Sequence, residues 1–315
     1  MHHSKLKMDQ RSLLAFKTGA LLLWIIIGGL LAGCAAEAAV TIDPTAVMTR
    51  PATSTEMPVN TTTPTPTQQP SSTPSPTALP SPTPMWIPRG PGEVNVPILL
   101  YHRILPDPKS LLYSVEIQAF ADQMESLVQL GYQSIWVSQL REAIVNGAEL
   151  PPKPVILTFD DGNLDNYENA FPIMRSRGLF GTAYIVANRL GSKGYLSIPQ
   201  IKEMMAAGWE IGSHSMTHAD LTVIPSSQLR EEILGSRMRL ETALDIPIHS
   251  FAYPYGSVNP QIAVKVSRYG YFTGMGLGKF STHSSGSLFY LDRLEIRGTM
   301  SLEDFQTLLE GSEQP

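Results

Sequence analysis

The chain has 315 residues, with 23 Lys and Arg against 28 Asp and Glu, for a formal charge of -5. So mild an acidity excludes the basic footprint of a nucleic-acid binder, and no nucleic-acid partner is expected. The single cysteine, Cys34, excludes an intrachain disulfide and any cysteine-built metal site.

Lys5, Lys7, Arg11 and Lys17 precede an apolar run from Leu21 to Leu31, which ends in Ala32-Gly33-Cys34. A basic segment, a short apolar core and small residues have the order of a secretory signal, and the run is short for a stable membrane span. Leu31-Ala32-Gly33-Cys34 resembles the bacterial lipobox. That resemblance implies removal of residues 1–33, a lipid on Cys34, and a lipoprotein held on the outer face of the cytoplasmic membrane. The alternative is an uncleaved anchor helix, which leaves the rest of the chain on the same side. Residues 34–90 then read as a tether. Between 49 and 84, 26 of 36 residues are Thr, Pro or Ser, too few of them apolar to offset the entropy of ordering. Its prolines keep such a segment extended, so it acts as a spacer.

Residues 91–315 are long enough for one α/β domain. An apolar run predicts a strand over 96–101, ending at His102. Ile117, Phe120, Met124, Leu127 and Val128 have helical spacing, and Gly131 stops that helix. A short strand over 135–137 and a helix capped by Ser138 and ended by Asn146-Gly147 follow. Strands are then expected over 155–159, 182–186, 209–211, 249–253, 271–275 and 291–296. Helices are expected over about 164–177, 198–207, 226–244, 260–269 and 302–309. Alternating strands and helices mean parallel pairing with helices outside. Seven or so such units close, or nearly close, a barrel. His102, Asp160, Asp161, His214 and Tyr255 all fall at or just after strand ends, which puts them on one rim.

Thr158-Phe159-Asp160-Asp161-Gly162 sets two carboxylates at a strand end, and His214-Ser215-Met216-Thr217-His218 spaces two imidazoles four residues apart. Alone, each motif is ambiguous: adjacent acids also hold magnesium, cap helices or stay solvated, and paired histidines often lie on surfaces. Together, one carboxylate and two imidazoles make a three-ligand metal site with an open position, the pattern of catalytic zinc. The other carboxylate is left free. Iron, cobalt and nickel suit the same donors.

These motifs, with Phe251-Ala252-Tyr253-Pro254-Tyr255-Gly256, resemble in kind and order those of the polysaccharide deacetylases, carbohydrate esterase family four. The resemblance spans about residues 96–300 and implies a distorted or incomplete (β/α)7-type barrel. It makes Asp160 the catalytic base and assigns Asp161, His214 and His218 to one divalent ion, zinc by expectation. The Tyr255 backbone N–H helps hold the oxyanion, Pro254 belongs to the groove wall, and Leu100 lines a pocket for the acetyl methyl. The sequence departs from the family pattern twice. Ala252 stands where the third motif usually carries an arginine paired with the base, and Arg293 is the candidate to supply that charge from another strand. The last motif, a Leu-x-His, is absent near the C-terminus but present as Leu100-Tyr101-His102 at the start of the domain. That resembles the circularly permuted members that act on exopolysaccharide, and it makes His102 the general acid.

The implied activity is metal-dependent removal of N-acetyl groups from peptidoglycan or an N-acetylglucosamine exopolymer, by a monomer. An O-acetyl esterase shares this chemistry, and a non-catalytic glycan-binding module is the alternative of a different class. A glycosidase would need its two carboxylates about 5 Å or more apart across a sugar bond, for which adjacent aspartates are poorly placed.

Overall fold

A computed structural model of the chain describes residues 85–109 and 112–312. The expected signal segment, Cys34 and the tether as far as residue 84 lie outside the described residues. The last tether residues do not: Ile87–Arg89 pairs antiparallel with Ala148–Leu150, so the folded domain begins before residue 91.

Eight strands form the main sheet: β1 (Ile98–Tyr101), β2 (Gln133–Ser134), β3 (Pro154–Phe159), β4 (Thr182–Ile185), β5 (Glu210–Ser213), β6 (Ser250–Ala252), β7 (Thr273–Met275) and β8 (Leu294–Glu295). Their order is β7-β6-β5-β4-β3-β1-β8, with β2 beside the start of β3, and every pairing is parallel. The two ends of the sheet meet at a thin seam. Met275 bridges to Leu291, the Gly278 N–H reaches the Arg293 carbonyl (3.2 Å), and three residues after Leu291 the same segment pairs with β1 as β8. This is the distorted parallel barrel the sequence predicts.

The strands alternate, as a pleat requires. Ile98, Ile156, Tyr184, Ala252 and Met275 share an inner apolar cluster, to which Leu140 and Ile144 of helix α2 (Val137–Asn146) contribute. Their neighbours Leu99, Leu157, Ala183, Phe251 and Tyr253 belong to a second cluster that includes helix residues, among them Phe120 and Met124 of α1 (Ile117–Gln129). At Gly212 of β5 the Tyr184 ring comes so close that a Cβ would collide with it.

Most predicted elements are present within a residue or two, and two differ instructively. The run Ile135-Trp136-Val137 is not a strand. Pairing with β3 stops after the Ile135 N–H, and Trp136 opens α2, its own N–H held by Gln139 (2.9 Å). Ser138 is therefore inside α2, and its hydroxyl donates to Glu210 instead of capping. The helix expected from residue 226 begins about three residues later. It contains a wide π-helical turn, Glu231–Gly235, before the regular part α5 (Ser236–Leu244). A second wide turn, Asn166–Ala170, leads into α3 (Phe171–Arg175), where Pro172 has no N–H for a normal turn. Helices α4 (Ile198–Ala206), α6 (Pro260–Arg268) and α7 (Leu302–Ser312) complete the chain.

Candidate metal centre and proton-transfer site

Strand β3 is a six-residue, fully buried apolar run, and chain reversal begins as soon as it ends. Asp160 continues the strand, with its N–H on the Tyr101 carbonyl (3.0 Å), so its side chain points to the inner face. Asp161 then turns to φ 72° and Gly162 to φ 71°, which swings the second carboxylate away from the first. Strand β5 delivers His214 in the same manner, through a His214 N–H to Ile185 carbonyl bond (2.9 Å). The following loop turns back at Ser215 (φ 64°), and His218 (φ 70°) returns beside His214. Among the described residues six non-glycine positions have positive φ. Four of them, Asp161, Ser215, His218 and Tyr255 (φ 60°), are at this rim. Such backbone is disfavoured for residues with a Cβ and persists where the surroundings impose it.

Asp161, His214 and His218 each bring one donor atom to within 4.8 Å of the others. The Nδ1 of His214 lies 2.9 Å from the Ala252 carbonyl, an acceptor, so Nδ1 carries the proton and Nε2 presents its lone pair to the cluster. His218 Nε2 is 3.4 Å from Asp161 Oδ1. Burial and the neighbouring His214 push the His218 imidazole down to about 4, so it is a neutral donor at physiological pH. One carboxylate and two imidazoles fit a divalent ion of the zinc type.

Asp160 faces different company. Arg293, itself fully buried, holds it with two parallel bonds, Nη1 to Oδ1 at 2.7 Å and Nη2 to Oδ2 at 2.8 Å. Burial alone would raise the Asp160 pKa. The Arg293 guanidinium above all, with His214 and His102, overrides it and holds the carboxyl well below the usual carboxylate range. The guanidinium also lies over the Tyr184 ring (5.6 Å) and donates from Nε to the Gly276 carbonyl (3.1 Å). Ala252 belongs to the inner cluster that also holds Tyr184.

His102 leaves β1 half-buried, its ring 5.1 Å from that of Tyr113. Burial lowers its pKa, and Arg293 and His214 add to that against the opposing aspartates. Its Nδ1 is buried without a hydrogen-bond partner. Leu100 is buried on β1 two residues earlier, and Pro254 is buried just beyond β6. Tyr255 is 63% exposed, and its ring meets that of His218 at 4.7 Å, forming one side of the rim.

Three further charged residues attach to this site, and nothing in the sequence marks them. Arg189 lies 3.2 Å from Asp161 Oδ1. Asp165 accepts the Ile104 N–H (2.8 Å) and two bonds from Arg103, fixing the segment that carries His102. Glu232 lies against the His214–His218 loop. The partners of Asp165 are about sixty residues away in sequence, and Glu232 reads as one of two adjacent acids on a helix.

Residues 147–274 match the family model described as polysaccharide deacetylase. The chain is 26% identical over 216 residues to the Bacillus subtilis protein YxkH, named for the same family, covering 69% of this chain and 76% of that one. It is also 26% identical over 239 residues to a poly-beta-1,6-N-acetyl-D-glucosamine N-deacetylase of Staphylococcus epidermidis, covering 67% of this chain and 81% of that one. Its fold is similar to that of the Streptococcus pyogenes deacetylase PplD, solved in complex with acetate. There the TM-score is 0.65 at 26% identity, over 70% of this chain and 99% of that one.

Proposed function

We infer that this chain, which belongs to the polysaccharide deacetylases, removes N-acetyl groups from an N-acetylglucosamine-containing envelope polysaccharide with the help of a divalent metal, zinc by preference. The observation that carries this reading is the difference between two adjacent carboxylates. Asp161 lies with the donor atoms of two imidazoles. Asp160 is buried, ionised and aimed by Arg293, and is left for proton transfer.

A divalent ion on Asp161, His214 and His218 would polarise the acetyl carbonyl and ease ionisation of the attacking water. Asp160 takes the proton of that water. Arg293 keeps Asp160 a carboxylate and fixes its direction; the Asp160 oxygen lies 3.7 Å from His214 Nε2. The Tyr255 N–H offers a donor to the developing oxyanion, a contribution typically worth roughly 3 kcal/mol of barrier. His102 hands a proton to the departing amine, and its lowered pKa makes it a ready donor once charged. Leu100 and Pro254 shape the apolar side of the acetyl pocket. The basic, apolar and small-residue order ahead of Cys34, with the Thr/Pro/Ser-rich stretch behind it, supports a lipid-anchored enzyme reaching into the envelope.

Acetate release by the chain with zinc tests this on three substrates: N-acetylglucosamine oligomers, peptidoglycan and O-acetylated xylan. Release from an N-acetyl substrate, stopped by chelator and restored by zinc, is the expected result. Release from xylan alone would make the protein an O-acetyl esterase. Metal binding without release from any of them would make it a glycan-binding module.

A further inference from the structure

Two histidines four residues apart do not by themselves meet at one ion. The intervening peptide must fold back on itself, and here it does so through two unfavourable residues, Ser215 and His218, both at positive φ. Something outside the loop has to hold it there.

We propose that Glu232 is the positioning residue of this loop and sets the affinity of the site for its metal. The proposal rests on the reading that Asp161, His214 and His218 hold a divalent ion. Glu232 is buried, 7% exposed. Its Oε2 accepts the N–H groups of Met216 (3.1 Å) and Thr217 (3.0 Å), and its Oε1 accepts the Thr217 hydroxyl (2.7 Å). Its own carbonyl accepts the Met216 N–H as well (3.1 Å). Every one of these donors lies between the two histidines. Hydrogen bonds to an ionised acceptor are stronger than neutral ones, and three converge on one carboxylate.

The helix is bent to make this possible. In the wide turn Glu231–Gly235 the Ser236 N–H reaches back five residues to the Glu231 carbonyl. The Ile233 carbonyl takes the Ser236 hydroxyl (2.9 Å) and the Tyr271 hydroxyl (3.0 Å). Such turns inside helices occur often at functional sites. This one places both the main chain and the side chain of Glu232 on the loop. The loop's other side is tied by the Ala187 N–H to the Ser215 carbonyl (3.1 Å) and the Asn188 N–H to the Met216 carbonyl (2.9 Å). Glu232 touches neither the metal ligands' donor atoms nor the groups that move protons. Its effect is on the spacing of His214 and His218.

The test is zinc affinity by competition with a chelating dye, with the visible spectrum of the cobalt-loaded protein as a second readout. Glu232→Ala is expected to weaken zinc about 10–100-fold, as loss of outer contacts at metal sites does, and to alter the cobalt spectrum. Acetate release should recover as zinc is raised. Glu232→Gln can keep the same contacts, its Oε1 accepting both N–H groups and its amide donating to the Thr217 hydroxyl, and should stay within a few-fold of wild type. Thr217→Val removes one bond of the set and should weaken zinc a few-fold, which keeps the test decisive should Glu232→Ala not fold. A purely structural role would lower the melting temperature of the metal-free protein and leave zinc affinity and the cobalt spectrum where they were; that result overturns the proposal. A wild-type chain that binds no zinc overturns the metal reading itself, and is recognised before any variant is made.

Discussion

The proposed metal half of the site and the proposed proton-transfer half are built in different ways. Asp161, His214 and His218 come from two short motifs, each within a few residues of a strand end, and hydrogen bonds to Ala252 and Glu232 hold His214 and the loop between the two histidines. Asp160, Arg293 and His102 come from the ends of three neighbouring strands, β3, β8 and β1, that are far apart in sequence. Asp160 and Arg293 are 133 residues apart in sequence and meet as a buried, bidentate ion pair. The metal half is therefore written in two short motifs, each recognisable by itself. The proton half depends on pairing between strands distant in sequence, because β1 beside β3 brings His102, and β8 beside β1 brings Arg293, to Asp160. Variants should divide accordingly, into those that change metal affinity and those that change stability and rate.

The largest effect is expected at Arg293. Arg293→Leu leaves a buried carboxylate without its cation, a change that typically costs about 3–5 kcal/mol. Chemical denaturation of the metal-loaded protein at neutral pH would read it. The pH dependence follows from the direction of the Asp160 shift. The wild-type carboxyl is held below its ordinary value of about 3.9, so the pair's contribution is complete above that pH and is lost only as pH falls through the lower, folded pKa. In Arg293→Leu burial acts without the guanidinium, Asp160 rises, and the acid limb of the rate profile moves up. An unchanged acid limb would separate Arg293 from the base and spoil the division.

His102→Gln comes next. Removing a general acid typically costs 10²–10⁴ in kcat, and zinc affinity should not move. A parallel loss of zinc would join the two halves. Asp165→Ala should act more weakly and on the same half. It frees the Ile104 N–H and Arg103, at about 1–3 kcal/mol for an unsatisfied buried group, and lowers kcat through the placement of His102. Smallest is Tyr255→Ala. The role given to Tyr255 belongs to its backbone, and its exposed ring contributes an aromatic contact with His218 worth about 0.5–1.5 kcal/mol. A fall of no more than about tenfold in kcat/KM is expected.

The same contrast explains what was legible in the sequence. Asp160-Asp161-Gly162 and His214 to His218 stand out because each sets two distinctive side chains within a few residues at a strand end. The parallel barrel was legible from alternating apolar runs and helical spacing. Arg293 was reachable only by asking what replaces the charge missing at Ala252. Asp165 and Glu232 were not reachable, since both bond to main-chain N–H groups, which carry no residue signature. The run Ile135-Trp136-Val137 misleads for another reason. Three apolar residues fit a strand or the entry to a helix equally well, and tertiary packing of Val137 beneath the barrel decides for the helix. The start of the folded domain is not visible in the sequence because Ile87–Arg89 pairs with Ala148–Leu150, a contact about sixty residues away.

The most direct measurement is zinc content and acetate release on one preparation of Asp160→Asn beside wild type, with an N-acetylglucosamine oligomer as substrate. Asparagine keeps an oxygen for Arg293 and removes the base. The two halves being separate, the variant should bind one zinc with near wild-type affinity and release acetate about 10²–10⁴ times more slowly. Wild-type rates in the variant, or loss of zinc along with activity, would contradict the assignment of Asp160 to proton transfer and Asp161 to the metal.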